Sequence, residues 1–227
     1  MYGVVVGAVL SCQELESRIM YMKFLKGSDA KWLLGAPAVL VTLIDAPERN
    51  KPECNEPRAD CFYDDPIEQL KNVFPLTNLQ CQALASSFCA AGISPQEVEV
   101  DSFEELTEMI YVGAVQKLME VSRTSNEEIW MRTDLRYEFF KKALDPLFHD
   151  EVMADLVKGL PARDKNIVIF ELVRIACVDV GWTDSKKELI TYFAENIGAS
   201  PELIPEAGLV YEELGKVYEK GLEIIDE

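Results

Sequence analysis

The sequence predicts an all-α protein, and three observations carry that expectation. Helix-start signals recur along the chain. Ser102-Phe103-Glu104-Glu105 and Ser125-Asn126-Glu127-Glu128 are capping boxes, in which the Ser satisfies a free amide and the Glu reaches back. The pairs Ser94-Pro95, Asp145-Pro146 and Ser200-Pro201 each put a good N-cap before a proline suited to the first helical position. Finally, between Ile167 and Val178 only Glu171 and Arg174 are polar. A helix apolar almost all round belongs inside a bundle.

Taken in order, the apolar periodicity and these signals predict helices near residues 12–26, 28–44, 66–74, 78–91, 103–121, 126–143, 147–159, 163–179, 184–197 and 206–225. The valines of Tyr2–Leu10 favour a strand, but a strand without a partner is not stable. Ala46–Pro66 reads as a loop, with Pro47, Pro52, Pro57 and Pro66 and two cysteines. Its length suggests a functional or disordered connection. Gly198 stands where a helix stops. Glu171 and Arg174, three residues apart, are spaced to pair along one edge of their helix. Residues 1–101 form an N-terminal helical region, and 102–227 a helical bundle with Ile167, Phe170, Val173 and Cys177 at its centre.

A chain that is 48% apolar and 27% charged can bury a core and is not expected to be disordered. Its net charge of −18 repels nucleic-acid phosphates and anionic lipid heads, so direct nucleic-acid binding is not expected. The excess lies after residue 60, since residues 1–60 are close to neutral. The longest apolar stretch, Trp32–Ile44, contains Pro37 and is too short for a membrane span, which needs about 20 residues. The start superficially resembles a lipoprotein signal ending at Cys12, but no Lys or Arg precedes its apolar run. A cytoplasmic protein with mostly reduced thiols is therefore expected.

After the apolar helix comes Val178-Asp179-Val180-Gly181-Trp182-Thr183-Asp184, then an amphipathic helix carrying Leu189-Ile190, Phe193-Ala194 and Ile197-Gly198. This helix, acidic Gly turn, cap and second helix resemble the TerB-like (tellurite-resistance) family over residues 102–227. The turn is one residue longer than the family pattern, because Val180 separates Asp179 from Gly181. A degenerate first copy of the turn runs from Leu118 to Glu128. The resemblance implies a helical domain, a stress- or defence-associated setting and a divalent cation such as Ca²⁺ at the turn. Asp179, Asp184 and Glu188 are the candidate ligands, hard oxygens around a flexible glycine. The competing reading has Thr183 or Asp184 capping a helix, Gly181 left-handed and Glu188 in solvent. The sequence favours this second reading, because the turn is lengthened and Lys186 and Lys187 oppose a dication.

Other chemistry finds little support. Cys54, Cys61, Cys81 and Cys89 lack the short spacing of zinc pairs. His149 is the only histidine, which argues against His-ligated metal sites. No nucleotide-binding glycine motif and no nucleophile elbow occur. Glu97, Glu99, Asp101, Glu104, Glu105 and Glu108 cluster at a helix start, where the dipole favours solvated acids. The sequence thus points to a non-enzymatic acidic interaction module with a protein partner, one with a basic surface. A cation-sensing domain and an acidic nucleic-acid mimic are the alternatives. It implies no cofactor beyond that cation and leaves the oligomeric state open.

Overall fold

The computed structural model describes residue 25 and residues 27–45, 76–125, 133–178 and 181–226. Among these residues the regular structure is helical, with no strand. The helices are α1 (Gly35–Leu43), α2 (Asn78–Ala91), α3 (Phe103–Ser125), α4 (Thr133–His149), α5 (Glu151–Gly159), α6 (Ala162–Ala176), α7 (Asp184–Ile197) and α8 (Leu203–Asp226). Short 3₁₀ turns at Asp29–Leu33 and Pro95–Val98 precede α1 and α3. The helices expected at 12–26 (apart from Leu25) and 66–74, the loop Ala46–Pro66 and the stretch Tyr2–Leu10 lie outside the described residues.

Helix α1 is buried from Pro37 to Ile44. It is apolar all round, so no face of it favours water. Thr42, its one polar side chain, donates to the Ala38 carbonyl at 2.8 Å. Pro37 is tolerated because it sits in the first turn, where an amide has no helical partner. Around α1 pack α3, α6 and α7, with α2 and α4 also in contact. One apolar cluster runs from Leu25 through Leu40, Leu84, Leu118 and Phe140 to Leu172, Phe193 and Ala207. Residues before and after position 102 therefore share a core.

Helix α6 is deeply set, with Val168, Ile169, Leu172 and Val173 fully covered. Two residues expected at its centre lie at its side instead. Phe170 and Cys177 are half-buried, and the Phe170 ring packs on Tyr211 of α8 at 5.2 Å. The centre is shared with α1, which packs against α6. The Glu171–Arg174 pair forms at 2.6 Å, but in the interior rather than along an open edge. Ser87 of α2 donates to Glu171 at 2.6 Å and accepts from Arg174 at 2.6 Å. A buried charge needs its partners satisfied, and the Ser87 hydroxyl does this while fixing α2 against α6.

Helix ends follow local chemistry. Ser102 Oγ accepts from the Glu105 amide at 3.1 Å, while the Glu105 carboxylate reaches the Asp101 amide at 2.9 Å. Gly198 closes α7 in the left-handed conformation, φ 69°. Asp145-Pro146 does not start a helix. Pro146 lies inside α4, and its carbonyl still accepts from Asp150 at 3.0 Å. Proline loses its own donor and crowds the carbonyl four residues before it, but the Asp150 amide still bonds the Pro146 carbonyl, so the helix runs on past it. The cap falls at Asp150, whose Oδ1 accepts from the Met153 amide at 2.9 Å. The helix expected at 126–143 accordingly extends to His149. Residues 126–132, with the Glu127 and Glu128 of the Ser125 box, lie outside the described residues.

With α1 inside the core, Leu40→Ala should lower stability by about 2–5 kcal/mol in urea unfolding. A loss below about 1 kcal/mol would place α1 at the periphery.

Candidate functional site

The turn after α6 is built around a lysine. Helix α6 ends at Ala176, and its last carbonyls carry the negative end of the helix dipole. Gly181 adopts φ +87°, a left-handed conformation that favours glycine. Thr183 then caps α7, its Oγ1 accepting from the Lys186 amide at 3.4 Å. The same hydroxyl donates to the carboxylate of Asp45, just past α1. Lys186 is only 2% exposed. Its Nζ donates to the Ala176 carbonyl at 2.7 Å and the Gly181 carbonyl at 3.0 Å, and lies 4.0 Å from Asp45 Oδ2.

The proposed ligands are arranged differently. Asp184 and Glu188, four residues apart, lie on the exposed side of α7. The Asp184 side chain is 91% exposed and pairs with Lys187 at 3.1 Å. The Glu188 backbone carbonyl accepts from Tyr137 at 3.4 Å. Asp179 and Val180 lie outside the described residues. Among the described residues no group of three His, Cys, Asp or Glu is placed to hold a metal. Of the alternatives for the cap, Thr183 is the residue used.

Asp45 was not singled out from the sequence, and Lys186 only as a charge opposing a dication, although a signal for its burial exists. Lys186 falls three, four and seven residues before Leu189, Ile190 and Phe193, on the inward stripe of α7. A lysine at such a position buries its ammonium or breaks the packing. Asp45 has no such signal, because its contact is set by the tertiary approach of α1.

The other sequence candidates stay apart. His149 is exposed at the end of α4. Glu97, Glu99, Asp101, Glu104, Glu105 and Glu108 are exposed. The Ser94 amide and the Lys31 ammonium hold the Glu97 carboxyl below its usual range. An open concavity of about 300 Å³ beside Cys89, Pro95 and Phe103 carries exposed Asp101 at its rim. Cys81 and Cys177 are free thiols. Burial pushes the Cys177 thiol up to about 11, with the Lys186 charge opposing, so it is not a thiolate at neutral pH. Cys89, by contrast, is disulfide-bonded.

The surface also has a marked apolar feature. Helix α8 packs on α6 and α7, with Ile204 and Ala207 buried and Tyr211 against Phe170 of α6. Gly208 allows Trp182 to lie against it, since a Cβ there would come within 2.3 Å of the indole nitrogen. After Gly208 no described side chain of α8 is buried. Val210, Leu214 and Val217, spaced i, i+4, i+7, are 45%, 55% and 69% exposed, and Leu209 is exposed beside them. Glu206, Glu212, Glu213, Lys216 and Lys220 are also exposed on this helix.

Comparison with known protein families, curated proteins and solved structures gives no match.

Two outcomes follow for solution work. Since an ammonium already engages the inward carbonyls of the turn, millimolar Ca²⁺, Mg²⁺ or Mn²⁺ should leave the melting temperature unchanged. A cation at 100 times its Kd would add about 2.7 kcal/mol, and a clear shift lost in Asp184→Ala would show that the acidic turn does bind one. Peptide mapping without reductant should join the Cys89 peptide to one bearing Cys12, Cys54 or Cys61 and leave Cys81 and Cys177 alkylatable. A fully alkylatable Cys89 would contradict the bond.

Proposed function

We propose that this protein is a non-enzymatic, acidic helical interaction module of TerB-like architecture. Its partner is a protein segment with an apolar face edged by Lys or Arg. The exposed stripe Val210, Leu214 and Val217 on α8 carries this reading. Three apolar side chains at helical spacing left in water are a recurrent mark of a docking surface, because a helix buries such a stripe when it can. Glu206 and Glu213 edge the stripe, with Lys220 further round the same side, and the net charge of −18 favours a basic partner over an acidic one. Opposite charge speeds encounter, and like charge disfavours nucleic acid. A helix laid along α8 would read the stripe by its i, i+4, i+7 anchors. The stress- or defence-associated setting rests on the resemblance of the α6 turn and α7 to the TerB-like family.

No described helix is long and apolar enough to cross a membrane. The sequence suggests the cytoplasm, where most thiols stay reduced, and a Cys89 disulfide found in native protein would favour an oxidising compartment instead. The peptide map of native protein bears on that choice.

The surface can be tested with a synthetic amphipathic helix of Leu and Lys followed by fluorescence anisotropy. Binding should weaken about tenfold or more in Leu214→Asn/Val217→Asn, a difference of about 1.4 kcal/mol. Melting should move little, since both residues are exposed. Val152→Asn, at an apolar position 75% exposed on α5, should bind like the parent. Equal binding by parent and α8 variant would reject α8 as the docking surface.

A further inference from the structure

We infer that the junction of α1, α6 and α7 is a primary-ammonium site whose occupant is the protein's own Lys186, a cation tethered to the chain. The oxygens facing the ammonium come from three elements. Ala176 supplies the carbonyl at the end of α6, at 2.7 Å. Gly181 supplies a carbonyl at 3.0 Å, from a residue whose left-handed φ of +87° other residues rarely adopt. Asp45 supplies negative charge at 4.0 Å, from the residue two past α1.

The set is closed on itself. Asp45 takes a hydrogen bond from the Thr183 hydroxyl, which in turn accepts from the Lys186 amide. The backbone amide at position 186, through Thr183, thus helps hold the carboxylate that faces the Lys186 ammonium. Burial to 2% exposure rules out a side chain that merely lays its stem on the surface with its charge in water. An ammonium removed from water needs its N–H groups accepted and its charge opposed; here two carbonyls accept from it and Asp45 opposes its charge. A metal at the same oxygens would face the lysine charge. The tether also makes occupancy independent of ion supply, because the cation cannot diffuse away.

The ligand class follows from the side chain. Lys186→Ala removes three methylenes and an ammonium, the equivalent of one n-propylammonium ion. Lys186→Met keeps most of the volume and removes the charge. Both variants should melt lower than the parent by roughly 10 °C, as expected when one partner of a buried charged set is deleted. About 0.1 M n-propylammonium chloride should restore part of the loss in Lys186→Ala and none in Lys186→Met, whose side chain fills the space. Tetramethylammonium chloride, which has no N–H, should restore neither. Parent-like melting of Lys186→Met would overturn the proposal, as would equal effects of the two salts on Lys186→Ala, or rescue by K⁺ or Ca²⁺ with none by propylammonium. Should the variants not fold, limited acetylation of the parent chain decides. Lys186 should remain unmodified while Lys187, whose side chain is 43% exposed, reacts. Equal rates for the two lysines would refute the buried ammonium.

Discussion

Helices that end inside a protein leave carbonyl oxygens with no helical partner, and water is not there to supply donors. Two helices of this bundle, α1 and α6, end in that way. The chain meets the demand with long cations from neighbouring helices. Arg136 of α4 donates to the Ile44 carbonyl at 3.2 Å, and Lys186 of α7 donates to the Ala176 carbonyl at 2.7 Å. Each cation sits at the negative end of a helix dipole, where positive charge is favoured. Each also ties the end of one helix to the flank of another. The packing of α1 between α3, α6 and α7 depends on these ends being satisfied, because otherwise the apolar burial gained at Leu40 and Leu43 would carry the cost of orphaned carbonyls.

A third polar connection holds α2. Ser87, Glu171 and Arg174 form a compact set between α2 and α6. Together these contacts give an otherwise apolar and geometrically tolerant core a defined register. Leu, Ile and Val side chains can repack in several ways, whereas a buried lysine with two carbonyls and a carboxylate has few acceptable positions. The acidic excess is kept on the outside, on exposed faces such as those of Glu104, Glu105, Asp184 and Glu188. Core and surface therefore carry separate tasks. Internal cations fix the fold, and external carboxylates with the α8 stripe face the solvent and any partner.

The helical class and much of the element order were legible in the sequence because they rest on local signals. Helices expected at 78–91 and 184–197 coincide with α2 and α7, and Gly198 ends α7. Asp145-Pro146 misled because proline is compatible with a helix start and also with a helix that simply continues past it. Phe170 was expected at the centre on periodicity alone, which does not say that α1 occupies the other side of α6. The acidic turn drew attention to Asp184 and Glu188, whose charge is visible in any sequence. The residue that organises the turn is the lysine between them, and its role depends on a carboxylate more than a hundred positions earlier. Such long-range complementarity leaves no local trace beyond a charged residue on an apolar stripe.

If internal cations bind the ends of α1 and α6 into one structure, these elements should open together. Hydrogen exchange of the native protein, resolved by peptide and followed over hours, reads this directly. The amides of α1, of the second half of α6 and of the first two turns of α7 should exchange last and with a common opening free energy. Rapid exchange of α1 while α6 and α7 remain protected would contradict the account, since it would show that the helix at the centre of the bundle is not held by the junction at its end.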